Sequence, residues 1–318
     1  MGQISGKNAK YLKTEFLLSR IMTIMEPFLG FMDIIPGQPV SESSVAYRYY
    51  DTSASTDTKK KTPRKRTASA DWTYVTVSEM TAGTAILNKE GFAIRLDEDA
   101  LKSEIGVSEI SRAINRVGYW LVQDMNTRFG TALTGGATTP TWTPTATWDD
   151  ATATPVLDLI KFRQEMKREG YPYQMTDIFI HNDNRDELEQ YLANVDVADG
   201  KQKYVYGMPS QDTIRVPVVG CDIHGMLSGI TEGYVLGLDR NNPAATVFYQ
   251  NDSSYSTPKV RYETKTPDGT KTFKTVDNFG LNTYQYKEDD THDVVVQFWL
   301  DNVAVVMEAY AALYDSGI

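Results

Sequence analysis

SEISRAINRVGYWLVQDMNTRFGTALTGG, residues 108–136, carries the longest helical pattern in the chain. Ile110, Ile114, Val117, Leu121, Met125 and Ala132 recur on one face, and Glu109, Arg112, Arg116, Gln123 and Arg128 fall on the other. Ser108 is expected as the N-cap and Gly135-Gly136 as the stop, giving a rod of about 26 residues and roughly 39 Å. That is more than twice an ordinary helix of about 11 to 12 residues. With one apolar stripe, it should lie along a sheet and leave its other side to solvent.

Upstream of this helix the chain changes character twice. Leu12, Phe16, Ile21, Ile24 and Met25 predict a first helix, disturbed by Pro27 and Pro36. The stretch holds three methionines and three phenylalanines between Phe16 and Met32. It packs either on its own core or on another subunit, and Phe16, Ile21, Met25 and Phe28 are the candidate contacts for the second reading. Residues 41–88 then read as a long hairpin: Val45–Tyr50 and Trp72–Val77 favour strands, and between them lie a small polar run and Lys59-Lys60-Lys61-Thr62-Pro63-Arg64-Lys65-Arg66. Six of those eight residues are basic. A projecting hairpin buries little against its own domain, so a neighbour should cover it. Lys59, Lys60, Lys61, Arg64, Lys65, Arg66 and Trp72 are the candidate contacts, with an acidic copy of the chain or with packaged nucleic acid.

Asp97-Glu98-Asp99 suits the first turn of a short helix ahead of the long one. Downstream, ten threonines among residues 131–154 mark a boundary between two compact regions. Beyond it, helix and strand alternate. Pro155 opens a helix through Met166, Asp177–Ile180 is a buried strand, and Asn184 with Glu187 is expected to cap the next helix. Short strands are expected at Tyr204–Tyr206, Ile214–Val219, Gly233–Leu238 and Ala245–Tyr249, which makes a mixed α/β unit of about a hundred residues. The tail returns to long strands: Lys259–Thr266, Thr272–Val276 and Tyr284–Lys287, then Asp293–Asp301 and Val303–Met307 about an Asp301-Asn302 turn.

Composition limits the chemistry. The 318 residues are 41% hydrophobic and 23% charged, enough for a sizeable core. One cysteine, Cys221, excludes an intrachain disulfide. The net charge of −10 disfavours bulk binding to nucleic acid. It is uneven: residues 1–70 carry 11 basic and 6 acidic residues, net +5, which leaves −15 on the remainder. Arg20, Glu26 and Asp33 interrupt the most apolar early stretch, so neither a membrane span nor a signal core is expected. The histidines at 181, 224 and 292 are scattered, and Cys221-Asp222-Ile223-His224 lacks two further zinc ligands, so a buried thiol and a satisfied histidine are expected there. His181-Asn182-Asp183-Asn184-Arg185-Asp186 resembles the front of a calcium loop, but Ala193 stands where a bidentate glutamate is required. No nucleophile elbow, HExxH, Walker or dinucleotide motif occurs. No active site, metal or cofactor is expected. Trp142 and Trp148 could serve a carbohydrate-active enzyme as sugar platforms, but a linker reads better.

The order of segments, arm, charged hairpin, long helix, threonine-rich hinge, α/β unit and returning strands, resembles the major capsid proteins of tailed double-stranded DNA viruses, the Hong Kong 97-type fold. Gly91-Phe92-Ala93-Ile94 with the acidic residues after it is similar to the family's entry into its spine helix. Asp177 to Asn184, Pro217-Val218-Val219 ahead of Gly233–Leu238, and the closing Asp293–Leu313 also resemble family patterns. The resemblance implies an α+β chain with an N-terminal arm (1–40), an extended loop (41–88), a first part of the peripheral domain with spine helix and hinge (89–154), an inserted axial α/β domain (155–258) and returning peripheral strands (259–318). Ile110, Ile114, Val117, Leu121 and Met125 then form the core face of the spine helix.

As a function it implies a non-enzymatic, self-assembling icosahedral head shell of hexamers and pentamers around the viral DNA, in a virion put together in the host cytoplasm. The implied partners are copies of the chain, a separate scaffolding protein, a portal, decoration proteins and packaged DNA by non-specific contact, with no membrane. Because the arm begins within a few residues of Met1, the long scaffolding segment found at the front of some members is not expected here, which implies either a separate scaffold or a missing front segment. Lysine–asparagine crosslinks, known in some members, are not expected. Alternatives are an encapsulin-like compartment shell and another virion protein such as a tail-tube subunit.

Overall fold

The computed structural model describes residues 13–25, 30–31, 34–49, 81–97, 104–168, 173–199, 213–216, 218–251, 259–265, 271–277, 279–287 and 293–318. Among the described residues the α-helices are α1 (Thr14–Met25), α2 (Glu104–Gly136), α3 (Pro155–Arg168) and α4 (Asn182–Asp199). The strands are β1 (Gly37–Pro39), β2 (Ser44–Tyr49), β3 (Thr81–Ile86), β4 (Asn88–Leu96), β5 (Asp177–His181), β6 (Thr213–Arg215), β7 (Asp222–Met226), β8 (Tyr234–Leu238), β9 (Ala245–Tyr249), β10 (Lys259–Lys265), β11 (Lys271–Asp277), β12 (Leu281–Lys287), β13 (Val294–Val306) and β14 (Ala312–Ser316).

β13 is the axis of the first sheet. After Val294 and Val295 its residues alternate, Val296, Phe298, Leu300 and Asn302 buried and Gln297, Trp299, Asp301 and Val303 half-buried, so one face lies on the core and the other is only partly covered. At 13 residues it spans roughly 43 Å. Antiparallel β4 lies along one side from Leu96↔Val294 to Asn88↔Asn302. Along the other, β12 pairs as far as Leu281↔Leu300, and β9 takes over from Tyr249↔Asn302 to Ala245↔Val306, with β1 parallel to β9 at the edge. The turn expected at Asp301-Asn302 is therefore absent: the strand runs through, and the polar pair marks the place where its partner changes. Asn302 is needed there because its buried amide donates to the Phe279 carbonyl (2.8 Å), while Asn282 donates to the Gly280 carbonyl (2.8 Å). These bonds hold the tight entry into β12, where Phe279 and Gly280 both have positive φ.

The second sheet has the order β14-β8-β5-β7-β6, with β5 and β7 parallel and the other pairs antiparallel. Two expectations are corrected here. Ala245–Tyr249 belongs to the first sheet rather than to the α/β unit, and Ala312–Ser316, expected to end the returning strands, forms an edge of the second sheet. Main-chain patterns near 250 and 310 carry no partner information, because any apolar five-residue strand fits either sheet. Ile214–Val219 is also shorter than expected: β6 ends at Arg215, and a turn follows in which Val219 and Gly220 both donate to the Val216 carbonyl.

α2 begins at Glu104, four residues before the expected cap Ser108, and runs for 33 residues. The stretch from Glu104 to Val107 holds no proline, and although Gly106 disfavours a helix by about 1 kcal/mol, the helix runs through it and through Ser108. Ile110, Ile114, Val117, Leu121, Met125, Phe129 and Leu133 are buried along it. They join α1, β12, β13 and parts of β5 and β8 in one apolar core. Gly118 lets α1 approach, since a Cβ there would lie 3.0 Å from Ile24 Cγ2. Asn184, expected as a cap, lies inside α4, which starts at Asn182. Its amide donates to Glu187 (3.1 Å) and its carbonyl oxygen accepts from the Gly233 backbone (2.8 Å), so the residue ties α4 to the start of β8.

A second core fills the space between α3, α4 and the other face of the second sheet, with Phe162, Met166, Ile178, Ile180, Leu188, Ile223 and Leu313 among its members. The segment between α2 and α3 is more than a linker: Trp148 is buried in this core, and Thr138 extends the edge of β14 through a parallel bridge to Leu313.

Candidate subunit-contact surfaces

β2 and β3 form a two-stranded antiparallel stem, registered from Ser44↔Ile86 to Tyr49↔Thr81. Among the described residues it pairs with no other strand. Its root is anchored: Ala85 packs with Phe248 and Val305, supported by Val40, Val45, Tyr47, Val303 and Met307. Tyr47 lies across Gly83, where a Cβ would come 2.6 Å from the ring, and its ring centroid is 6.3 Å from that of Phe248. The alternate positions Ser44, Ala46, Arg48, Thr84 and Ile86 face outward, and Ile86 is 68% exposed. The expected second strand, Trp72–Val77, lies outside the described residues, as do Lys59, Lys60, Lys61, Arg64, Lys65, Arg66 and Trp72; the strand that pairs with Ser44–Tyr49 starts at Thr81.

Of the two readings of the first helix, Ile21 and Met25 follow packing on the chain's own core rather than the subunit contact. Ile21 and Met25 are fully buried, together with Leu17, Leu18 and Met22, in the chain's own core. Phe16 remains 40% exposed, and Phe28 lies outside the described residues. The cause is simple: α2 and the first sheet leave an apolar trough that α1 fills from the same chain, in contact with α2, β10 and β12.

Sequence reasoning missed a surface on the polar side of α2. Trp120, 45% exposed, meets Phe92 of β4, 36% exposed, with ring centroids 5.3 Å apart. Gln123, Asp124 and Thr127 border them in a shallow depression. The signal was legible: Trp120 falls off the apolar stripe of its helix, where a large aromatic side chain has no internal partner to satisfy. Beside it, Arg128 bonds Glu90 (2.9 Å), Asp124 (2.8 Å) and the Asn88 carbonyl (3.1 Å), which clamps α2 to β4. Burial, the largest influence, and Glu90 push the Asp124 carboxyl above its ordinary range in spite of Arg128.

The second sheet holds a buried polar network. His224 Nε2 donates to Asp177 Oδ1 (2.8 Å), the Thr176 hydroxyl to Asp177 Oδ2 (2.7 Å) and Arg240 Nε to Asp177 Oδ2 (3.1 Å). The His224 ring stacks on Phe179 at 4.7 Å. Burial by itself would raise the Asp177 carboxyl; the bonds from His224, Arg240 and Thr176 outweigh it and hold the group below the usual carboxylate range. Cys221 is buried, donates to the Met175 carbonyl (3.2 Å), and burial pushes its thiol up to about 11, which removes thiolate reactivity near neutrality. Among the described residues no group of three His, Cys, Asp or Glu could hold a metal ion, and no helix is long and apolar enough to cross a membrane. Trp142, offered above as a sugar platform, is engaged by Lys161 Nζ at 5.1 Å from its ring.

Comparison with known proteins gives these surfaces a context. No curated protein matches the chain in sequence. Its fold is similar to the capsid of an empty GTA particle (12% identity, 90% of this chain and 88% of that one, TM-score 0.56). It is also similar to the virus-like particle from Pyrococcus furiosus (10% identity, 94% and 96%, TM-score 0.54) and the holo-SrpI encapsulin complex of Synechococcus elongatus (9% identity, 90% and 85%, TM-score 0.53). At these identities the likeness establishes the fold, the Hong Kong 97-type shell fold, which phage capsids and encapsulins share. The family model described as phage capsid protein matches residues 81–292, two thirds of the length, and on that ground the chain belongs to the phage capsid protein family, as a self-assembling structural protein of the virion shell.

Proposed function

We propose that the chain is the major subunit of an icosahedral head that encloses double-stranded DNA, and that the 50–80 segment carried by the β2–β3 stem reaches an adjacent subunit and docks Lys59–Arg66 on its acidic surface. The stem carries this reading: its root packs on Phe248 and Val305, it exposes Ile86 and Arg48, and the segment between its strands holds the Lys59–Arg66 run, which makes residues 1–70 net +5 against −15 for the remainder. A segment so attached gains its contacts from neighbours, and many such contacts across a closed shell accumulate by multivalency. The role is structural rather than enzymatic. A separate scaffolding protein, a portal and decoration proteins complete the assembly. Replacing Lys59, Lys60 and Lys61 with Glu leaves the monomer folded but blocks or misshapes particles under negative-stain microscopy; normal shells from that variant refute the docking. If the basic run instead contacts packaged DNA, the same variant forms normal empty shells and fails only on filling.

A further inference from the structure

Glu165 of α3 and Asp315 of β14 are both buried carboxyls, 2% and 4% exposed. Their placement follows from the strand period: Leu313 and Asp315 share the face of β14 that α3 covers, and Leu313 packs in the same core as Phe162 and Met166 on either side of Glu165. The α2–α3 connection seals the junction. Thr138 donates its backbone N–H to the Ala312 carbonyl and accepts from Tyr314, and three residues later the Thr141 hydroxyl donates to Glu165 Oε2 (2.8 Å). Asp315 Oδ1 accepts the Ser316 backbone N–H (2.8 Å), but Asp315 Oδ2 is buried with no hydrogen-bond partner. The charged groups around the pair are Lys161 and Lys167, which line the same groove as Glu165, and Asp158 two turns earlier in α3; Val235 of β8 stands opposite Asp315. A buried anionic oxygen with no donor costs far more than a protonated one, which is neutral and can donate its proton to a neighbouring carboxylate.

We propose that Glu165 and Asp315 form a proton-operated latch: with a proton held at the pair, β14 is locked between β8 and the α2–α3 connection, and loss of the proton loosens β14 and the residues that follow it. The sign agrees with the electrostatics. Burial first, and then the Glu165 charge, raise the Asp315 carboxyl above its ordinary range despite the Ser316 bond. The folded state therefore holds this proton more tightly than the unfolded chain, and strand stability is greatest on the acid side and falls as pH rises through the carboxylate range and on to the raised value. What loosens is the C-terminal end, where Gly317 and Ile318 donate to the Gly233 carbonyl and Ile318 plugs the second core.

Hydrogen exchange on the full chain tests this. After correction for the intrinsic pH dependence of exchange, protection of the amides of residues 312–316 should be highest at pH 4 and fall by pH 8, as the raised Asp315 carboxyl gives up its proton. In Asp315→Asn the protection should not vary with pH, and Glu165→Gln, which removes the same repulsion from the helix side, guards against a folding failure of the first variant. Wild-type protection that does not vary with pH, or an unchanged pH response in both variants, overturns the latch. Recovery of full protection at pH 8 on adding calcium chloride also overturns it, since the pair would then be a cation site.

Discussion

At the scale of single residues, Asp177 shows how a buried charge becomes structural. Three side-chain donors, Thr176 just before β5, His224 of β7 and Arg240 in the turn after β8, converge on it, and Arg240 Nη2 completes the set against Oδ1. Asp177→Ala removes the acceptor that Thr176, His224 and Arg240 share and should cost about 1–3 kcal/mol in urea unfolding at pH 7. Because the folded carboxyl lies below its ordinary range, its contribution is complete above about pH 4 and disappears as pH falls through the folded value. The difference between wild type and variant should therefore narrow at pH 3. Glycines act at the same scale. A Cβ at Gly130 would collide with the Gly229 carbonyl, so α2 passes the loop after β7 at backbone distance, and the Ser228 hydroxyl donates to the Gln123 carbonyl (3.3 Å) at that crossing.

Among the elements, α2 separates packing from surface most sharply. Leu121→Ala removes a fully buried side chain from the main core and should destabilise the subunit by about 2–5 kcal/mol. Trp120→Ala, one position along, loses only an exposed aromatic pair and should cost at most about 1.5 kcal/mol; thermal unfolding of the two variants separates them. The stripe Ile110, Ile114, Val117, Leu121 and Met125 was legible because helical periodicity is a property of the segment alone. The N-terminal limit of α2 was not, since Ser108 has the letters of a cap and Gly106, between β-branched Ile105 and Val107, has poor intrinsic helix preference, yet the helix runs through them from Glu104. β13 shows the same asymmetry. Its strand character was plain in Val294–Leu300, but Asp301-Asn302 has the letters of a turn, and only the loop at Phe279-Gly280, distant in sequence, explains why the strand continues. For α1, apolar spacing gave a helix but not its partner, because Ile21 and Met25 would serve equally well against a neighbour. The contact-surface residues Lys59–Arg66 and Trp72 were chosen by charge and position, and the pair Phe92–Trp120 was overlooked because strand and helix meet only in the fold.

Among the described residues, two five-stranded sheets share one apolar core, a second core lies between the second sheet and α3 and α4, and two ribbons, β10–β11 and the β2–β3 stem, complete the fold. If that stem and the segment it carries serve only neighbours, they are dispensable to the subunit. Replacing residues 50–80 with Asn-Gly joins Tyr49 to Thr81 through a two-residue turn compatible with the observed register. The shortened chain should keep the unfolding temperature of the wild type within a few degrees and form no shells in sedimentation analysis; particle formation by it would show that closure depends on other surfaces. The placement of β13 and β14 has a further consequence, for biosynthesis. The central strand of the first sheet and an edge of the second are both encoded after residue 293, so a nascent polypeptide stalled or cleaved before that point can complete neither. Prematurely terminated copies would expose unpaired β4, β8, β9 and β12 edges and fall to cellular proteases, which leaves only full-length translation products to enter the growing particle.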